Sequence, residues 1–572
     1  MIARRPARAP LPRPLCWLTL ASLALALLYA SPTHAAPPEA DEPAPDAAAP
    51  ADAEPATLAA DETPLPDVPE PEPELEPEPE LEPGPTADGA LVEGPPEPEP
   101  EPAPAPEPEG KKKRKKKKRD PNDPHRLEWG VLPAVSYDID LGLGFGALVS
   151  LARFHPDFQP YRWRLEFLAQ ATVKNTPGIG LGLPYHNDYV KADLPGLWNG
   201  RLRINAEARF RRFTNQGWHG LGNASLNPEP WEDIDPDTDP DAYREARFYN
   251  KYLRTRASAA FNARIILWDR SVLGNDVPRA CGPKLRDGCP PYASQRARQG
   301  LGPAPKVAHK RRLELLVGTS LGYNAIEAYA NSKLAEDIAA RDEPGPDGED
   351  DAETLRGLLH GTDNHFLMTL NAGLLYDTRD HEYTPTRGSF TELSLQFSPG
   401  VDENLLYSRL YLGTSHFVPL YGEYLVFGVR GILDYLWGTP PLYAMGETGV
   451  LVPLDGPGGS WTIRGIPRQR YFGKQKAIVN LELRSMLVRF NIKSARFGVG
   501  TALYFDAGRL WTDTQPVFLD GVNLDGEFSD IKTGVGGGLR LTWGETLVVR
   551  VDPAWSPSDQ NFGFYLDVGQ MF

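Results

Sequence analysis

The sequence predicts an all-β protein: a transmembrane antiparallel β-barrel of about sixteen strands behind a disordered Pro/Glu-rich N-terminal segment. Three observations predict it. Apolar residues recur with a period of two in runs of ten or more residues, against about five or six for a soluble strand. The alternate positions in those runs carry full charges. No apolar run long enough for a membrane-crossing helix follows residue 30. An apolar outside and a charged inside describe a closed sheet in lipid, and closure removes the open edges that such long strands would otherwise present.

Taken in chain order, residues 1–36 read as a secretory signal. Arg4, Arg5, Arg8 and Arg13 form the basic head, residues 15–30 the apolar core, and Ser31-Pro32-Thr33-His34-Ala35-Ala36 the small-residue cleavage region. Residues 37–110 hold 23 acidic side chains, 23 of the 59 prolines and no Lys or Arg. Such a segment has almost nothing to bury, and it is expected to be a disordered spacer leaning toward extended polyproline II. Residues 111–119 are nine consecutive bases that open a basic linker, 111–125. Behind an export signal this run is no nuclear address; it reads either as a solvated face or as a contact with an anionic surface, lipid headgroup or cell-wall polymer. The whole-chain charge of -17 is no footprint of nucleic-acid binding, and no nucleic-acid partner is expected. Cys281 and Cys289, eight apart across Gly and Pro, are expected to form a small disulfide loop in an exported chain.

The barrel is expected over 126–572. In residues 161–173, Tyr161, Trp163, Leu165, Phe167, Ala169, Ala171 and Val173 share one face, while Arg162, Arg164, Glu166, Gln170 and Thr172 share the other. Residues 201–211 repeat the pattern, with Leu202, Ile204, Ala206, Ala208 and Phe210 against Arg203, Asn205, Glu207, Arg209 and Arg211. Leu393, Leu395 and Phe397 alternate with Glu392, Ser394 and Gln396, and Val479, Leu481 and Leu483 alternate with Asn480, Glu482 and Arg484. Short links such as Gly544-Glu545 read as near-side turns. The long polar insertions 267–307, 333–363 and 439–475 read as far-side loops. A final strand over 563–572 would place Phe564, Leu566, Val568 and Phe572 on one face.

Other motifs carry no chemistry in this setting. Gly318-Thr319-Ser320-Leu321-Gly322 has the spacing of a nucleophile elbow but sits in an alternating segment rather than at a strand-to-helix turn. The glycine runs 142–146 and 534–538 open no helix, so they are not phosphate loops; glycine in a barrel strand more often permits bending or close packing. The ten His show no metal-ligand spacing. No catalytic residue, metal or cofactor is expected.

Four stretches of the last two hundred residues resemble the BamA/TamA-like family of outer-membrane assembly factors, the bacterial surface antigens, which include the two-partner secretion pores. They are Tyr376-Asp377-Thr378-Arg379-Asp380 with Pro385-Thr386-Arg387-Gly388-Ser389; Thr462-Ile463-Arg464-Gly465-Ile466; Asn480-Leu481-Glu482-Leu483-Arg484; and Phe505-Asp506-Ala507-Gly508. Trp218-His219-Gly220-Leu221-Gly222-Asn223 resembles a further family stretch, and Phe564, Leu566, Val568 and Phe572 resemble the C-terminal sorting signal of outer-membrane barrels. The resemblance implies that Arg464, with Gly465 beside it, folds back into the barrel to meet Glu482 and Asp506, with Gly508 in the facing strand. Ile466 stands where the family has an aromatic residue, and the Pro/Glu spacer stands where the family usually has periplasmic polypeptide-transport-associated domains.

The resemblance further implies an outer-membrane location with the N-terminal tail in the periplasm. Its implied partners are outer-membrane lipid, including lipopolysaccharide, and client polypeptides, and its implied role is to insert or translocate polypeptide or lipid through the seam between first and last strands. Two other readings stand beside it: a passive pore or structural barrel without a client, and a membrane-embedded hydrolase using Ser320.

Overall fold

The computed structural model describes residues 127–572 apart from 139–140, 156–157, 177–179, 271, 274–306, 310, 347, 493–494 and 544–546. The signal, the spacer, the basic linker up to residue 126, Cys281 with Cys289, and the Gly544-Glu545 turn lie outside the described residues.

Sixteen antiparallel strands, each paired with its neighbours in sequence, close into a barrel. They are β1 (Leu127–Asp138), β2 (Gly142–His155), β3 (Phe158–Thr176), β4 (Gly180–Leu197), β5 (Leu202–Gly217), β6 (Lys251–Asp269), β7 (Arg312–Ala328) and β8 (His365–Asp377). The second half comprises β9 (Gly388–Pro399), β10 (Leu406–Tyr421), β11 (Leu425–Gly438), β12 (Gln475–Ile492), β13 (Ala495–Trp511), β14 (Lys532–Trp543), β15 (Leu547–Ser556) and β16 (Asn561–Val568). Among the described residues no helix is long and apolar enough to cross a membrane.

The wall is inside out relative to a water-soluble fold. Trp129 is 67% exposed and Leu503 63%, while Arg550, Glu482 and Asp506 are 0% exposed. Water would never solvate the first set in preference to the second, but hydrocarbon outside and a polar interior would. Alternation carries this ordering along each strand. On β9, Leu393, Leu395 and Phe397 face outward, and Glu392, Ser394 and Gln396 are buried inside.

Antiparallel pairing fixes which connections share an end. Taking the end where β1 begins as near, connections after even-numbered strands lie near and those after odd-numbered strands lie far. The loops 329–364 and 439–474 are therefore far-side, as expected from their length. Residues 267–307 are not: they join β6, ending at Asp269, to β7, starting at Arg312, at the near end. Loop length does not fix the side; strand parity does.

The seam between the first and last strands is the weak point of the wall. β1 and β2 pair along their whole length, from Leu127 opposite Arg153 to Asp138 opposite Gly142. By contrast, β1 and β16 pair only at Tyr137 opposite Leu566 and Asp138 opposite Tyr565. Just past β16 the chain leaves the wall, so residues 127–134 of β1 meet no strand among the described residues. The strand ends at Val568, and Gly569, at φ +107°, turns the chain out of the sheet. Phe572 consequently does not share the outer face of Phe564, Leu566 and Val568. Its ring enters the barrel and stacks on Phe417 at 5.9 Å, with the guanidinium groups of Arg430 and Arg484 over it. The carbonyl oxygens of Met571 and Phe572 accept hydrogen bonds from Arg430 (3.1 Å) and Arg484 (2.9 Å). Interior arginines offer this aromatic ring and these carbonyls partners that lipid lacks.

Far-side segments pack together over the far end. Helices α1 (Pro240–Arg247), α2 (Lys333–Asp342) and α3 (Glu349–Leu358) belong to them. Ser332 caps α2 by accepting from the Ala335 amide. Leu334, Leu355 and Leu358 pack with Trp218, Tyr252, Tyr443 and Phe472 in one apolar cluster. The Trp218 indole N–H donates to Asp337 at 2.9 Å, the Gly222 amide to the Phe472 carbonyl at 2.8 Å, and Asn223 to the Asp530 carbonyl at 2.7 Å. The Trp218–Asn223 stretch thus ties the loop after β5 to α2, to the end of loop 439–474 and to loop 512–531.

Candidate functional site: the fold-back loop and the seam

Loop 439–474 leaves β11 at the far end and folds back inside the barrel. Its apolar residues Val450, Ile463, Ile466 and Tyr471 form a second core with the wall residues Tyr411, Ile432, Ile478 and Leu510. Ile466 is fully buried in that core. The wall makes room by being small where the loop presses. A Cβ on Gly534 of β14 would stand 1.9 Å from the Arg464 carbonyl oxygen, and one on Gly508 of β13 would stand 2.7 Å from Ile463. Gly465 itself has φ +94°, and a Cβ there would meet the Ser556 amide at 2.8 Å. Gly534, the first residue of the glycine-rich stretch 534–538, is thus where that strand gives the loop's backbone room.

Charge fastens what packing positions. The Arg464 guanidinium grips Asp506 of β13 with two arms, Nε to Oδ2 at 2.8 Å and Nη2 to Oδ1 at 2.9 Å. A third arm, Nη1, reaches Glu482 of β12 at 2.7 Å and lies 3.5 Å from Asp552 of β15. The Arg464 backbone N–H also donates to Asp506 at 3.1 Å, and the guanidinium lies 3.4 Å from the Tyr504 ring centre. Arg464, Glu482, Asp506 and Asp552 are all fully buried.

The acids have further partners. Asn480 donates to Asp506 (2.8 Å) and to the Thr462 carbonyl (2.6 Å); Arg484 donates to Glu482 (2.7 Å); Arg540 and Arg550 donate to Asp552. Fork-shaped guanidinium groups match carboxylates in two-point contact, and charge-assisted bonds of this kind are the strong ones. The sequence named Arg464, Glu482 and Asp506, and the structure brings the three together. It gave no part in this contact to Asn480, Tyr504, Arg540, Arg550 or Asp552. Those residues look like any other lumen-facing charge or ring until the strands are placed around one point.

The loop also touches both edges of the seam. Asn561 donates to the Gly465 carbonyl at 2.8 Å, and the Gly465 amide donates to the Tyr565 hydroxyl at 3.2 Å. Both partners lie on β16. On the other edge, Arg468 meets Asp138 of β1 at 2.9 Å, while its second arm holds Asp455 of the loop at 2.7 Å.

The remaining sequence candidates fall elsewhere. Residues 376–389 form a near-side turn. Arg379 grips Asp377 with two arms, and Asp380 accepts from the Thr386 amide at 2.8 Å. Ser320 lies inside the unbroken strand β7, its hydroxyl 2.7 Å from that of Thr369 on β8, with no strand-to-helix turn of the kind a nucleophile elbow requires.

Residues 292–572 match the model of the Omp85 superfamily domain. Solved structures with a similar fold include BamA from Haemophilus ducreyi lacking POTRA domains 1–3 (TM-score 0.43, 13% identity), where the match covers 78% of this chain and 70% of that one. CdiB from Escherichia coli matches at TM-score 0.41 and 11% identity, over 77% of this chain and 63% of that one. CdiB from Acinetobacter baumannii matches at 0.37 and 10%, over 78% and 65%. This chain therefore spans less than two thirds of either CdiB structure. A search of curated protein sequences finds no match.

Proposed function

We propose that this barrel, whose residues 292–572 match the Omp85 superfamily domain model, inserts or translocates polypeptide at the outer membrane, working through the β1–β16 seam. One observation carries the reading: β1 pairs with β16 at two residues and with β2 along its full length. By that register residues 127–134 of β1 lie beyond the end of β16, so among the described residues that stretch of edge has no strand beside it. An unpaired strand edge is a template on which another extended chain can add. The bedding of loop 439–474 inside the barrel favours this sideways route over a passive channel through the lumen. The Arg464 cluster is, in this reading, the lock that holds the loop in place. Phe564, Leu566 and Val568 serve as the outer-face sorting signal, with Phe572 turned inward. In this reading the N-terminal tail lies in the periplasm, and the basic run 111–119 is available to an anionic surface.

The test is a seam that can be closed at will. Tyr137 and Leu566 are register partners, and opposed residues of an antiparallel pair lie within disulfide reach. In a chain whose native cysteines are replaced by Ser, Tyr137→Cys with Leu566→Cys should stop insertion of client chains into vesicles when oxidised. Full activity of the cross-linked barrel would refute the reading. Ion conductance that is indifferent to the cross-link, with no insertion in either state, would favour a passive pore.

A further inference from the structure

The fold-back loop does more than fill the barrel: it holds the two residues at which the seam is paired. Asp138 and Tyr565 are opposite one another across β1 and β16. Asp138 is bound by Arg468, and Tyr565 is bound by Gly465 and, through its hydroxyl, lies 3.4 Å from the Ile466 carbonyl. The two edges are therefore gripped by loop residues only three positions apart. That short stretch is itself anchored from two sides. Arg464 fixes it to β12 and β13, and the second arm of Arg468 fixes it to Asp455 within the loop. Neither member of the Arg468–Asp138 pair is freely solvated, their side chains being 17% and 11% exposed. A guanidinium that must keep Asp455 while β1 moves away would lose Asp138, breaking a charged pair that is largely shielded from water.

We propose that Arg468 is a positioning residue that braces the seam shut, so that parting of β1 from β16 and release of the loop from β1 are one event. The proposal rests on the reading that the seam is the working element, and it adds the contact that keeps the seam closed at rest. Arg468 ties loop to strand, and Gly465 with Tyr565 completes the tie on the other edge. Stretching the seam without moving the loop breaks the charged pair; moving the loop without opening the seam breaks the same pair.

The test reads the seam without any client. Backbone hydrogen exchange is followed in the full chain in lipid nanodiscs, at residues 134–138 and 563–566, with residues 368–376 of β8 as an internal reference far from the seam. Arg468→Gln and Asp138→Asn should each speed exchange at the seam by about tenfold, the ratio expected when a partly shielded charged contact worth ~1.4 kcal/mol is lost, and leave β8 unchanged. Arg468→Lys should restore most of the protection. Asp455→Asn, which removes the anchor inside the loop but spares the partner on β1, should speed seam exchange by clearly less than Asp138→Asn does. Seam exchange unchanged in Asp138→Asn would overturn the brace. So would an equal rise in Asp455→Asn, or a rise shared by β8, because each would mark a general loosening. Client insertion is scored separately. Faster seam exchange with no insertion in any variant keeps the brace and removes the insertion reading; insertion with unaltered seam exchange does the reverse.

Discussion

Replacing Arg464 by Met keeps most of the side chain's volume and removes its charge. The structure sets the cost. Two guanidinium arms leave Asp506 and a third leaves Glu482, all inside a site where none of these residues is exposed. Glu482 keeps Arg484 at 2.7 Å, with Arg540 3.7 Å away. Asp506 is worse placed, since Asn480 and the residue-464 backbone amide are the partners left among its described hydrogen bonds. Each charge-assisted bond is worth ~1.5–3 kcal/mol, and part of the loss returns because a buried guanidinium no longer has to be desolvated. The remainder is the penalty for a stranded buried carboxylate, ~3–5 kcal/mol. In equilibrium terms that is about a hundredfold to several thousandfold.

The assay is urea unfolding of the barrel in lipid, followed by tryptophan fluorescence, with the change read from the midpoint at constant slope. Arg464→Met with Asp506→Asn should recover ~1–3 kcal/mol relative to the sum of the single changes, because the two groups share one contact. A loss below ~1 kcal/mol for Arg464→Met, or simple additivity in the double variant, would refute the claim that this cluster fastens the loop.

Two further outcomes follow from the same geometry. Gly534→Ala places a Cβ against the Arg464 carbonyl. It should lift the loop from its bed and cost a few kcal/mol, measured by the same titration, whereas Gly130→Ala, with open space around it, should be silent. His219 supplies a pH dependence at the far end. Its burial, reinforced by Arg470 and Lys251, holds the imidazole pKa well below 6.5. Above about pH 6.5 histidine is neutral in both the packed and the unpacked state, so the packing keeps its full stability. As pH falls below that value the unpacked loop takes up a proton that the packed one refuses, and stability is lost. Hydrogen exchange at residues 218–224, corrected for intrinsic rates, should therefore rise between pH 7 and 5 in the native chain and stay flatter in His219→Gln.

What the sequence made legible follows from where its information is local. Alternation around Arg164, Glu166 and Gln170 against Trp163, Leu165 and Phe167 is a property of one strand, and it delivered β3 and its neighbours without reference to anything distant. The side on which residues 267–307 emerge is a property of the whole count, and length was a poor substitute for parity. The inward turn of Phe572 depends on Gly569 and on arginines from β11 and β12, more than eighty residues away, so the alternation simply seemed to run on. The Arg464 contacts came from resemblance rather than from periodicity. The partners that complete them, Asp552 and Arg540 among them, sit on strands whose charges give no hint of which point in the lumen they share. Helices α2 and α3 were missed inside what read as a polar insertion, although Ser332 as a cap and Leu334, Leu355 and Leu358 as an apolar set were present to be read.

In the proposed function β1 and β16 part for a client while the rest of the wall stays closed. The most direct measurement compares client insertion by the Tyr137→Cys/Leu566→Cys barrel before and after reduction, beside a barrel cross-linked within the wall at Leu395 and Leu410, which face each other across β9 and β10. The oxidised seam should be inactive, reduction should restore it, and the wall cross-link should change nothing. Insertion that proceeds through an oxidised seam, or that fails equally with the wall cross-linked, would contradict it.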